Sequence, residues 1–256
     1  MTVGVHEFWT FALCFARITA LVGTAPVFGS RAIPHQTKVG LSALLALVLM
    51  PIVSSRVGPA PANTLSFAAQ IGAEVAVGLT LGFLATLVFA SVQVAGAFLD
   101  MQMGFGIMSV LNPLNDMHSS EVGTFLYQLA ITLFLLAGGH LYLVGTLADG
   151  YAALPPGSAG FSGDLSGTLL AMAGQMFALA FRIAAPAAAV LLVVDVAFAV
   201  VARAVPQVNV LIVGLPVKIL VGLMTVALLL PALAAVIGQM TPGIGGAAEA
   251  FYRAAR

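Results

Sequence analysis

Charge is what this chain has least of. Only 7% of its 256 residues are Asp, Glu, Lys or Arg, against ~25% in an average globular chain. A water-soluble domain of this length could not cover its surface with so little charge, so that class is excluded. Nine basic and nine acidic residues cancel to a net charge of zero, with no polybasic run, which excludes a nucleic-acid binder. A single cysteine, Cys14, rules out an intramolecular disulfide and a cysteine-based metal cluster. The four histidines, His6, His35, His118 and His140, lie far apart and show no metal-ligand spacing. There is no phosphate-binding GxxxxGK[ST] loop, no GxSxG elbow and no SxxK, and the only lysines are Lys38 and Lys218. Without an assembled catalytic site, the expectation is a non-enzyme that uses no metal and no cofactor.

What the chain does have is apolar mass. Hydrophobic residues make up 61% and the mean hydropathy is +1.11, which also excludes disorder. Apolar segments fall at roughly 8–27, 39–53, 65–99, 125–148, 168–202 and 208–238. They are long, rich in Leu and Ala and lack alternation, so they read as helices rather than barrel strands. The expected fold is all-α: an integral membrane-type protein, with residues 1–256 forming one unit because no hydrophilic stretch could make a separate domain. The first run follows Glu7 rather than a basic residue, so it is expected to be a retained helix and not a signal peptide.

Two segments fit an ordinary membrane span badly. Residues 39–51 rise only ~20 Å, short of the ~30 Å hydrocarbon core. Residues 168–202 would run ~50 Å as one straight helix. Arg182 and Pro186 interrupt them, which predicts a broken helix or a helical hairpin. The 65–99 segment is overlong and carries Glu74. Turn signals separate the segments: 28–38, 54–63, 100–124, the Pro155–Pro156–Gly157 region, and the Pro- and Gly-rich stretch 241–246.

The charges that remain are placed oddly. In a six-span arrangement Arg31, Lys38, Arg203 and Lys218 call for one side. Linker 100–124 on that side has no Lys or Arg, and Arg56 lies opposite, so the positive-inside pattern is mixed. Arg17, Glu74, Arg182 and Asp195 lie inside apolar runs, where an ionised group costs ~3 kcal/mol on insertion scales. Such groups read as an ion pair that fixes helix register, a wet wall, a subunit contact, or a proton relay through Glu74 or Asp195. Gly78 and Gly82 form a GxxxG that would allow close helix approach, although 27 glycines produce such a spacing by chance.

Two polar constellations stand out. In the first, Asp195 and Arg203 lie eight residues apart on one helix face, about 12 Å along the axis, so each needs another partner. Pro206 disfavours helix at Val205, and Gln207 and Asn209 can bond the backbone groups that the break frees; Pro216 and Lys218 follow. This is either a polar turn or a subunit contact. The second, within linker 100–124, holds Met103, Gly104, Phe105, Gly106, Ile107, Met108 and Pro113. A stretch so apolar and bendable suits a deformable plug in a protein-lined passage, or a buried loop under a helix end.

Three stretches resemble the FliR/SctT family, the export-gate subunits of flagellar and injectisome type III secretion. The first is Phe15–Ala16–Arg17 with Thr24–Ala–Pro–Val–Phe–Gly–Ser–Arg31–Ala–Ile–Pro34 and Lys38–Val–Gly–Leu41. The second is Gly104–Phe105, Pro113, Phe134 and Gly139–His140. The third is Pro186, Asp195, Arg203, Pro206–Gln207–Val–Asn209 and Pro216–Val–Lys218. The likeness covers nearly the whole chain, and the first stretch looks flagellar.

The resemblance implies helical hairpins packed with FliP and FliQ into a hetero-oligomeric cone. FlhB and FlhA would be neighbours, in the inner membrane at the flagellar basal body. It further implies a plug matching Gly104 to Pro113, unfolded proteins as cargo, and a driving force from the proton motive force and a separate ATPase. Rival readings are the injectisome counterpart, a proton-coupled secondary transporter with Glu74 and Asp195 as carriers, and a passive membrane scaffold.

Overall fold

A computed structural model of the chain describes residues 2–61, 63–105, 120–160, 165–207 and 209–255. Among these there are seven α-helices and no strand: α1 (Thr2–Thr24), α2 (His35–Val53, prolonged by a 3-10 turn over Ser54–Arg56), α3 (Thr64–Met103), α4 (Glu121–Leu136), α5 (Gly139–Ala153), α6 (Leu165–Ala204) and α7 (Val210–Ala254). The all-α, membrane-type expectation holds. Five helices are long and apolar enough to cross a membrane, or six if the bent pair α4–α5 counts as one span.

Three helix boundaries differ from the sequence reading. The 125–148 segment is two helices that meet at 70°. Gly138 sits at the junction in the left-handed region (φ 73°), a conformation that glycine adopts without a Cβ penalty. The 168–202 segment is one continuous helix of 40 residues with Pro186 inside it, not a hairpin, since a proline costs a helix one hydrogen bond but need not end it. Residues 241–246, expected as a turn, belong to α7. There Ile244, Ala248 and Phe251 are buried, and a Cβ on Gly245 would sit 3.2 Å from Cζ of Tyr142. Burial of that face outweighs the poor helix propensity of Gly and Pro.

The chain divides into two compact units. One comprises Met1–Val88, Leu135–Ala173 and Met240–Arg256; the other Phe89–Phe134 and Gly174–Gln239. The core of the first gathers Trp9, Leu13 and Ile18 of α1, Leu49 of α2, Leu81 of α3, Tyr151 of α5 and Phe251 of α7. The Trp9 ring lies 4.6 Å from that of Phe67. Cys14 is completely buried in this core. The GxxxG of α3 faces α1: a Cβ on Gly78 would run into the backbone carbonyl of Arg17, and one on Gly82 into Thr24. These two glycines therefore let the helix backbones meet.

In the second unit Phe89 and Phe134 join α3 to α4 edge-on, 5.1 Å apart. Its long helices keep few of their apolar residues inside. Only 17% of the most apolar window of α6, and the same share of α7, is buried. Leu228 is 81% exposed and Val193 68%. Apolar area on this scale marks contact with lipid or with other protein.

Candidate functional site

Arg17 and Glu74, the two charges that the first apolar segments carry, meet in the core of the first unit. Both side chains are wholly buried, with Nε of Arg17 2.5 Å from Oε2 of Glu74. Arg17 also donates through Nη1 to the carbonyl of Leu154 at 3.1 Å. The N–H of Gly157 donates to the other Glu74 oxygen at 2.8 Å. The guanidinium lies 4.5 Å over the Tyr151 ring, a cation–π contact, and the Tyr151 hydroxyl donates to the carbonyl of Cys14 at 3.3 Å. One buried pair thus ties α1 and α3 to the segment that leaves α5. Of the readings open for Arg17 and Glu74, the geometry matches the ion pair that fixes helix register.

The other two expected residues near the first helix lie on the surface. Arg31 and Pro34 are exposed. Pro34 precedes α2 with extended backbone (ψ 143°), a position where proline's missing N–H is harmless. Lys38 reaches back to the carbonyl of Gly29 at 3.0 Å and closes this turn.

In the second unit Asp195 of α6 pairs with Lys218 of α7, Nζ to Oδ1 at 2.5 Å, with the side chains 40% and 20% exposed. The expectation that Asp195 needed a partner other than Arg203 is met by Lys218. Arg203, Pro206, Gln207 and Asn209 all project outward where α6 gives way to α7, and Pro216 is exposed on the second turn of α7. Asn209 caps α7: its side-chain Oδ1 accepts from the N–H of Ile212 at 3.4 Å, while its backbone carbonyl makes the first helical bonds, to Ile212 and Val213 at 3.1 and 3.2 Å. The expected use of Asn209 to bond freed backbone groups is observed. The structure therefore joins Asp195 to Lys218 and leaves Arg203 and its neighbours as an exposed polar corner.

Of the expected plug residues, Met103, Gly104 and Phe105 are described. Gly106, Ile107, Met108 and Pro113 lie outside the described residues. Met103 ends α3 fully buried, and its Cε would lie 2.6 Å from a Cβ on Gly222 of α7. Only glycine leaves room there for the thioether. Gly104 takes a positive φ of 90°, and its N–H donates to the carbonyl of Asp100 at 3.1 Å, which finishes the helix.

Sequence reasoning missed the residue that holds this region. The Asp100 carboxylate accepts from the Ser120 hydroxyl and from the N–H of Val122, 3.2 Å from each oxygen. Ser120 in turn accepts from the N–H of Gly123 at 2.8 Å, so it is the N-cap of α4. The end of α3 and the start of α4 are clamped together across linker 100–124. The signal was legible in part: serine three residues before an orphan helix N–H is a common cap, but nothing local announces Asp100 as its partner.

Residues 8–243 match the model of a family described as bacterial export proteins, family 1. The chain is 34% identical over 232 residues to the flagellar biosynthetic protein FliR of Pectobacterium carotovorum subsp. carotovorum, covering 88% of this chain and 84% of that one. It is likewise 34% identical over 221 residues to FliR of Bacillus subtilis, covering 85% of each. To the Yop proteins translocation protein T of Yersinia pestis it is 28% identical over 212 residues, covering 82% of this chain and 81% of that one.

Proposed function

Because this chain belongs to the bacterial export proteins, family 1, the FliR/SctT components of type III export, we propose that it is the flagellar gate subunit that builds the export channel with FliP and FliQ. Residues 1–256 act as one gate subunit, with Gly104 to Pro113 as the plug and unfolded flagellar proteins as cargo. The gate sits in the inner membrane at the basal body, beside FlhA and FlhB. The role is structural and gating rather than enzymatic. The flagellar assignment over the injectisome one rests on the 34% identity to the flagellar proteins of Pectobacterium carotovorum and Bacillus subtilis, against 28% to the Yop protein.

The observation that carries this reading is the apolar face of α6 and α7. Helices of 40 and 45 residues run about 60 and 68 Å, twice the ~30 Å of hydrocarbon, and only 17% of the apolar window of each is buried. On α6 the exposed apolar residues run from Leu170 to Val201, about 46 Å along the axis and more than lipid alone would cover, so sibling helices are the fitting cover. The transporter alternative loses its carriers: both Glu74 oxygens are engaged by Arg17 and Gly157, and Asp195 is engaged by Lys218.

The test is co-expression of the tagged chain with FliP and FliQ, followed by solubilisation in mild detergent. A stable complex holding all three is expected. Recovery of the chain alone, monodisperse and folded, would refute the reading.

A further inference from the structure

We propose that the turn between α1 and α2 presents Arg31 to a carboxylate of a partner protein. The proposal rests on the reading that the chain works inside an export complex, and it adds a contact that the fold prepares in advance. Charge singles the region out. No acidic residue lies between Glu7 and Glu74, whereas Arg17, Arg31, Lys38 and Arg56 all fall there. Glu74 answers Arg17, and Lys38 gives its ammonium to the carbonyl of Gly29. Arg31 is exposed and, among the described residues, has no ion pair.

The backbone leading to Arg31 is strained. Val27 has a φ of 76°, and the N–H of Phe28 donates to the carbonyl of Pro26 at 3.0 Å. These are the marks of a γ-turn of the rare positive-φ kind, and a β-branched residue is crowded there. Such strain persists only where the surroundings fix it. Here Ala25 is fully buried, the Thr86 hydroxyl donates to the carbonyl of Thr24 at 3.0 Å, and a Cβ on Gly29 would come 2.8 Å from the carbonyl oxygen of Ala25. Beyond the strained residue the chain is tied again on both sides of Arg31. The N–H of Ile33 donates to the Ser30 carbonyl and that of Ala32 to the Ser30 hydroxyl, both at 3.2 Å. The base of Arg31 is therefore held in one place, although the residue itself is exposed.

A fixed arginine suits one kind of partner. The guanidinium fork matches the two oxygens of a carboxylate, and that match gains from a base that does not move. Attraction to an anionic lipid surface depends on charge and distance and gains nothing from a strained turn. Arg56, exposed at the other end of α2, would serve such a surface equally well. The occupant is therefore an acidic side chain of a neighbouring subunit.

Carbodiimide cross-linking of the purified complex tests this. The reagent joins an amine to a carboxylate in direct contact and leaves a guanidinium untouched. In the Arg31→Lys variant, co-expressed with FliP, FliQ and FlhB, it should create an amide between position 31 and an Asp or Glu of a partner, found by mass spectrometry and absent from wild type. Arg56→Lys, treated alike, should give no partner amide beyond those of wild type. Adding Val27→Gly to Arg31→Lys should lower the yield severalfold without making the chain less stable, because glycine takes the positive φ freely and no longer fixes the turn. Arg31→Gln should weaken the complex roughly tenfold. The contact is overturned if the complex forms but the Arg31→Lys amine finds no partner carboxylate, if Arg56→Lys cross-links as well, or if Val27→Gly leaves the yield unchanged. It is also overturned if Arg31→Gln and Arg56→Gln spare the complex and equally weaken binding to phosphatidylglycerol vesicles, which would assign the charge to a membrane surface. If the wild-type chain recovers none of these subunits, the export-complex reading itself fails, and this contact with it.

Discussion

Replacing Glu74 with Gln removes one charge from a pair whose members are both 0% exposed. The amide still offers an oxygen to the N–H of Gly157, so the packing is barely touched. What remains is the Arg17 guanidinium, buried and uncompensated, with the Leu154 carbonyl and the Tyr151 face as its other contacts. Breaking a buried pair in this way costs about 3–5 kcal/mol. Removing both charges, as Arg17→Met with Glu74→Leu, should return the protein to within about 2 kcal/mol of its starting stability, because no ion is then stranded. Trp9 reports on the outcome: it is the chain's one tryptophan, 1% exposed in the same core. Its emission followed through a guanidinium titration of the detergent-solubilised protein gives the midpoints, compared at equal slope. If Glu74→Gln loses less than about 1 kcal/mol, the pair contributes no more than a surface salt bridge, and the register role assigned to it is wrong.

Asp100→Ala should release the Ser120 hydroxyl and the Val122 N–H and cost about 1–3 kcal/mol locally; hydrogen exchange at Val122 and Gly123 should speed up, and unchanged protection would count against the clamp. Deleting Gly104–Asn112 should leave the FliP- and FliQ-containing complex intact while making membranes leak ions; an unaltered conductance would remove the plug role. Arg203→Ala should lower recovery of FliP and FliQ with the tagged chain without lowering the yield of the chain itself, and full recovery would remove Arg203 from the contact.

The all-helical, membrane-type fold was legible because composition and run length act everywhere along the chain. Helix existence followed from long Leu- and Ala-rich runs, and the need of Asp195 for a partner followed from helical spacing. What stayed hidden was decided by contacts far away in sequence. The bend at Gly138 had a local cue in the Gly138–Gly139 pair, yet the apolar run continued through it. The helical course of 241–246 depends on Tyr142 crossing at Gly245 and on Phe251 entering a core begun by Trp9. Asp100 looked like one more acid in a linker, because its role exists only once Ser120 is brought beside it. The ion pair of Arg17 with Glu74 was one of several readings of isolated charges, and 57 residues of separation kept it from being read as a pair.

Cys14, the lone thiol, is completely enclosed. Maleimides and spin labels applied to the folded protein will therefore meet a silent background. Single cysteines introduced along the bare outer faces of α6 and α7 can be scanned one at a time without first mutating anything. Each site that reacts in the isolated chain and falls quiet after assembly would trace the footprint of whatever settles there.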